Sequence, residues 1–172
     1  MLRKSNINKQ KGVTLLEVLA VVIIGILIIV GAFTLYGNAQ NKQRENDVMT
    51  SLLTLQTNVR DLFYGVNDYG TAEELNDVII KSGGAPATFV QGTGTGRTLV
   101  SPFDNSKAVT ITGNNSEFDI AIAGIPETSC VTLAARSGSF LRVEANGEEV
   151  TSVATAATAC DGDDNTIAYF SN

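Results

Sequence analysis

The sequence has no histidine and no tryptophan, and its 172 residues contain two cysteines and three prolines. Without imidazole there is no Ser-His or Cys-His base and no histidine metal site, which excludes the commonest nucleophilic and zinc chemistries. The prolines are Pro86, Pro102 and Pro126, so a helix in the first half of the chain runs without the ring that kinks or breaks one. Charge is scarce as well, since a single ionic side chain, Glu17, stands between Lys11 and Lys42. Positive charge is the scarcer sign. Lys and Arg number 12 against 18 Asp and Glu, a net charge of -6; removing Arg3, Lys4, Lys9 and Lys11 leaves 8 against 18, or -10. A duplex-binding surface needs a basic footprint that this chain lacks, so no direct nucleic-acid binding is expected.

In the place of charge stands an apolar run from Val18 to Tyr36, directly behind Lys11-Gly12-Val13-Thr14-Leu15-Leu16-Glu17. At about 1.5 Å per residue, a helix of this length spans roughly the 30 Å hydrocarbon core of a bilayer. The flank from Met1 to Gly12 carries the four removed cations and no acid, so the positive-inside rule keeps it in the cytoplasm and sends everything after Tyr36 outside. About 130 residues follow, enough for one modest exported domain. A secretory signal peptide cut after Ala39 would have an apolar core of only about 7 to 15 residues, with no carboxylate in it. An uncleaved anchor on a periplasmic enzyme or receptor explains the span but not Glu17, because a carboxylate at a helix centre costs roughly 2.5–3.5 kcal/mol on insertion scales.

Lys11-Gly12-Val13-Thr14-Leu15-Leu16-Glu17-Val18 resembles the class III signal of type IV pilins and their relatives. The resemblance implies that prepilin peptidase cuts after Gly12, the last residue of a leader spanning 1–12, and methylates the new amino terminus at Val13. Glu17 then becomes the fifth residue of the mature chain. Methylation preserves the positive charge, so an ammonium and a carboxylate share the apolar end of one helix. In a staggered filament, Glu17 of one subunit meets the Val13 amine of a neighbour, where low dielectric strengthens the attraction. Left unpaired, each charge is a penalty; paired, they set axial register more than they add stability. The implied partners are further copies of the chain, the peptidase, an inner-membrane assembly platform with its ATPase, an outer-membrane secretin and minor pilins. No residue takes a catalytic role, and neither cofactor nor metal is implied.

Beyond Gly37-Asn38, apolar residues recur at Val48, Leu52, Leu55, Val59 and Leu62, a helical stripe. Gln40, Gln43, Arg44, Glu45, Asp47, Gln56, Asn58 and Arg60 fill the remaining positions as a wet face. Residues 13–64 therefore read as one long helix, hydrophobic all round over 13–36 and amphipathic over 38–64, with Gly31 and Gly37 as its weak points. Thr71-Ala72-Glu73-Glu74 has the spacing of a capping box and opens a short helix through Leu75, Val78 and Ile79 to Lys81, stopped by Gly83-Gly84 and Pro86. Gln91 to Arg97 lacks the strand, lysine and helix that a phosphate loop needs, and reads as a flexible surface loop.

From Ala108 the period changes to two. Val109 and Ile111, then Phe118, Ile120 and Ile122, form a hairpin about Gly113-Asn114-Asn115-Ser116. Pro126 to Ala135 reads as a short helix with proline in its first turn. A strand through Phe140, Leu141 and Val143 follows, then a turn at Asn146-Gly147, a brief helix over Ser152 to Cys160 and a last strand at Thr166 to Phe170. Asp161-Gly162-Asp163-Asp164-Asn165 opens like a calcium loop but lacks the glycine and glutamate that complete one, and reads as a solvated turn.

Cys130 and Cys160 both fall in the exported part, where pairing is favoured over two buried thiols. A loop of this length gains roughly 3 to 4 kcal/mol from chain entropy if closed. Ile80 to Pro86, Pro102-Phe103, Ile125 to Ala134, Ala159-Cys160 and Ala168-Tyr169-Phe170 resemble the type IVb pilins of enteric bacteria and conjugative plasmids. The leader is shorter than many in that subgroup, and Val13 stands where methionine or leucine is frequent. This second resemblance implies an α+β fold: a long amino-terminal helix packed on a carboxyl-terminal antiparallel sheet, within a head spanning 65–172. It also implies a 130–160 disulfide region that packs against neighbours. The function implied is the major subunit of an extracellular type IVb pilus, held in the inner membrane of a Gram-negative cell before assembly. The nearest alternative is a minor pilin or a secretion pseudopilin that primes or caps a short filament.

Overall fold

The computed structural model of the chain describes residues 14–66 and 68–172. The leader and Val13, including both residues of the cleavage site Gly12-Val13, lie outside the described residues. Helix α1, Leu15–Leu62, takes in 48 residues. Its backbone is helical at Gly31 and Gly37, despite a cost of about 1 kcal/mol per glycine. The described chain forms two compact units, one ending at Gln40 and one running Asn41–Asn172.

In the second unit the expected stripe faces inward: Val48, Leu52, Leu55 and Val59 are fully buried. Leu62, read as its last member, is 41% exposed because the helix ends there and the chain turns away through Gly65 at φ 90°. Two residues assigned to the wet face are buried instead. Glu45 accepts a 2.9 Å hydrogen bond from the Ser129 hydroxyl, and Gln56 donates from Nε2 to the Ser171 hydroxyl at 2.8 Å. Burying such groups is tolerable only because each finds a partner.

Thr71 to Glu74 departs from the capping-box reading. These residues form strand β1, Thr71–Glu74, antiparallel to β4, Val109–Asn114. The edge of β4 offers a row of backbone groups, and pairing with it satisfies more of them than a local cap could. Helix α2, Asn76–Ser82, begins after Leu75, which makes no side-chain cap; the Asn76 amide donates to the Val109 carbonyl and accepts from the Ile111 N–H. Ala72 takes φ 52° where the β1 register shifts, a left-handed backbone that a residue with a Cβ adopts at a cost.

Gln91 to Arg97 lie exposed at the surface, as expected of a loop. Strands β2, Val90–Gln91, and β3, Thr98–Leu99, pair around a single turn of 3-10 helix at Gly94–Gly96. The main hairpin is as expected, β4 against β5, Glu117–Ile125, turning at Asn115. Helix α3, Glu127–Ala134, follows with Pro126 one place earlier, at the cap. Strand β6, Arg142–Ala145, starts later than the apolar pattern indicated. Phe140 turns inward ahead of it and packs tilted against Tyr169, ring centroids 4.8 Å apart.

Strand β7, Glu148–Glu149, pairs with β6 across the Asn146-Gly147 turn. Both turn residues have positive φ, the requirement of a two-residue hairpin that Asn-Gly meets most cheaply. Helix α4, Val153–Ala159, is capped by Ser152 and Thr155, and β8, Asn165–Ser171, closes the chain. The resulting antiparallel sheet has six strands in the order β1-β4-β5-β8-β6-β7. Its inner residues, among them Ile111, Ile120, Ile122, Val143, Ile167 and Tyr169, share one core with the buried stripe of α1 and with Ile79 and Leu133. This is the expected α+β fold: a long helix against an antiparallel sheet.

Candidate functional site

The described chain begins at Thr14, and Thr14 caps α1. Its hydroxyl accepts from the Glu17 N–H at 3.3 Å, and its carbonyl accepts from the N–H groups of Glu17 and Val18 at 3.0 and 3.2 Å. Glu17 thus sits in the first helical turn, where the helix dipole favours a carboxylate. The Thr-x-x-Glu spacing of residues 14 to 17 is the sequence signal for this cap. Around Glu17 the helix is apolar on every side. The stretch Leu15–Ala32 has a mean hydropathy of 3.0, and its described side chains are exposed within their own unit. A helix hydrophobic all round must be covered by something else, lipid or other helices. The one carboxylate in that cover seeks a cation there.

In the second unit the two cysteines are joined. Cys130 of α3 and Cys160 at the end of α4 form a disulfide with Cα atoms 5.9 Å apart, both side chains buried. The bridge fastens two short helices to each other.

Asn165, read as the end of a solvated turn, is fully buried and completes the fastening. Its amide donates to the carbonyls of Ile125 and Gly162, and its carbonyl oxygen accepts from the Asp161 N–H and the Asn146 amide. Asn146 in turn donates to the Ala159 carbonyl, so the strand after the disulfide, the turn before α4 and the end of β5 meet at two asparagines. Asp161, Gly162, Asp163 and Asp164 remain exposed, as a turn should. Among the described residues, no three His, Cys, Asp or Glu side chains gather as metal ligands.

The outer face of the sheet is charged. Arg142 pairs with Glu117 and Glu144 at 3.1 and 3.2 Å and lies 3.6 Å over the Phe170 ring. Partial burial, and then the charge of Glu144, push the Asp119 carboxyl above its ordinary value. Inside, burial pushes the Tyr169 phenol far up, and its hydroxyl donates to the Leu133 carbonyl at 3.1 Å. None of these groups pairs a nucleophile with a base.

Residues 42–172 match the family model described as PilS N terminal, and residues 7–33 match that of the prokaryotic N-terminal methylation motif. Among solved structures, the type IV b pilin from Salmonella typhi is similar with 24% identity and a TM-score of 0.51, over 70% of this chain and 96% of that one. TcpA, a type IV pilin from Vibrio cholerae El Tor biotype, gives a TM-score of 0.58 at 13% identity, over 76% and 99%. At these identities the likeness is one of fold. No curated protein matches the chain in sequence.

Proposed function

The chain belongs to the PilS N-terminal family, with the fold of type IV pilins of the b subgroup, and on that footing we propose that its mature form, Val13 to Asn172, is the major subunit of an extracellular type IVb pilus. As a pilin it is a structural subunit and not an enzyme. The observation that carries the proposal is the lone Glu17 at the start of an apolar helix long enough to cross a membrane. The matched methylation motif brackets the Gly12-Val13 junction, which supports cleavage there by prepilin peptidase and methylation of Val13. The apolar helix then passes from the inner membrane to the filament core, exchanging lipid for other copies of itself. Glu17 accepts the Val13 amine of a neighbouring copy and so sets the stagger. An assembly platform, its ATPase, an outer-membrane secretin and minor pilins complete the machinery, at the surface of a Gram-negative cell.

Mass spectrometry of fibres sheared from such cells tests this directly. The expected species is abundant, starts at Val13, carries one added methyl group and keeps its disulfide. A start at any other residue removes the cleavage assignment, and a trace quantity assigns the chain to a minor subunit. Glu17→Val should be processed and inserted normally yet give about tenfold fewer fibres or less, since losing one desolvated charge partner costs well over the 1.4 kcal/mol of a tenfold change. Wild-type fibre yield from Glu17→Val would end the register argument.

A further inference from the structure

The exposed face of α1 in the second unit is unusual for a helix in water. From Val48 to Val59, about three turns, it carries no charge, although Thr50, Leu53, Thr54 and Thr57 on it face outward. Exposed helix faces are ordinarily charged or strongly polar. The hydroxyl protons of the threonines are also engaged within the helix. The hydroxyls of Thr50, Thr54 and Thr57 each donate to the backbone carbonyl four residues earlier, at 2.9–3.0 Å, leaving methyl groups and Leu53 to meet whatever approaches.

Among the described residues, one other helix has this character. Between Glu149 and Asp161 no residue is charged, and α4 turns Val153, Ala154, Ala157 and Thr158 outward, with Val153 65% exposed. Its threonines are satisfied internally too, Thr155 on the Ser152 carbonyl at 2.8 Å and Thr158 on the Thr155 carbonyl at 2.9 Å. Each face carries two parallel rows spaced four residues apart, 50/54 and 53/57 on α1, 153/157 and 154/158 on α4. Rows with that spacing interdigitate in the commonest class of helix crossing.

We propose that the threonine face of α1 receives α4 of a second copy of this chain. The mature protein has a net charge of -10, so copies brought together repel wherever charged surfaces meet. An uncharged helix against an uncharged helix avoids that repulsion, and nothing polar has to be desolvated without a partner. The contact is head-to-tail in kind, since the two faces differ, and such contacts build open filaments. It rests on the pilus-subunit reading and adds to it a specific surface between heads.

The test uses the full chain in fibre-forming cells. Thr54→Cys and Ala157→Cys are made singly and together, and sheared fibres are oxidised and run without reductant. The double variant should give a ladder of cross-linked copies and the single variants monomers. In separate cells, Thr54→Lys and Ala157→Lys should each lower fibre yield about tenfold or more, with leader removal and the Cys130–Cys160 bridge intact. Monomers from the double variant, equal cross-linking by either single variant, or wild-type yield from the lysine variants would each overturn the contact. An absence of fibres from the wild-type chain would overturn the pilus reading, and this contact with it.

Discussion

Gly113→Ala should lower the melting temperature of the mature chain, held in detergent, by about 10 °C, a loss of about 3 kcal/mol. Gly113 lies in β4, and a Cβ there would overlap the Tyr69 carbonyl, with the carbonyl carbon at 2.6 Å. The obstacle is space, because the Gly113 backbone lies outside the left-handed region. Tyr69 cannot step aside cheaply. Its N–H donates to the Asn115 carbonyl at 2.7 Å, the Asn115 N–H donates to Gly70, and its ring packs between Phe63 and Phe118 at 5.1 and 4.8 Å. Moving this segment by an ångström disrupts two hydrogen bonds and an aromatic stack that closes one end of the core. Gly147→Ala is a useful contrast, since its Cβ meets nothing within 4 Å and only its φ of 82° is strained; the expected loss is about 1 kcal/mol. Equal melting of Gly113→Ala and the wild type would mean that the Tyr69 segment is held far more loosely than its contacts require.

Asn165→Asp should be the second severe change, costing about 4 kcal/mol at neutral pH. The replacement is the same size but has no amide donor, so the carbonyls of Ile125 and Gly162 lose their partner and face a carboxylate oxygen. Burial and those two carbonyls both disfavour the charged form, so the folded-state pKa of an aspartate here lies above its unfolded value. The sign follows: the charge penalty is present above the folded-state pKa, fades as pH falls through it, and is gone below the unfolded value. Melting curves should therefore show a gap from wild type that narrows from pH 7 towards pH 3.5. A gap that stays constant with pH would place the damage in packing. Because the Gly162 carbonyl, two residues after Cys160, loses its donor, the variant's disulfide should become more accessible to reductant.

Local patterns in the sequence were enough to find the long helix, the β4–β5 hairpin, the Asn146-Gly147 turn, α4 and the last strand, because each is set by periodicity or turn chemistry within about ten residues. Cys130 and Cys160 were readable from compartment and count. Residues whose partners are remote were misread. Glu45 bonds 84 positions away, Gln56 bonds 115 away and Asn165 reaches Ile125 40 away, and a polar residue looks equally wet in sequence whether or not such a partner exists. Thr71 to Glu74 failed for the opposite reason: a valid local signal lost to a strand edge. Glu17 was legible through isolation alone, and the structure adds the Thr14 cap beneath it.

The two ends of the sheet bear on what these heads cannot do. β7 is two glutamates long, with Glu149 directly opposite Glu144, and β1 breaks its register at Ala72. An incoming strand would meet like charge at one margin and an interrupted ladder at the other, which are the devices by which sheets resist edge-to-edge aggregation. A pilin is thereby kept from amyloid-like cross-linking, and copies are left to join through side chains.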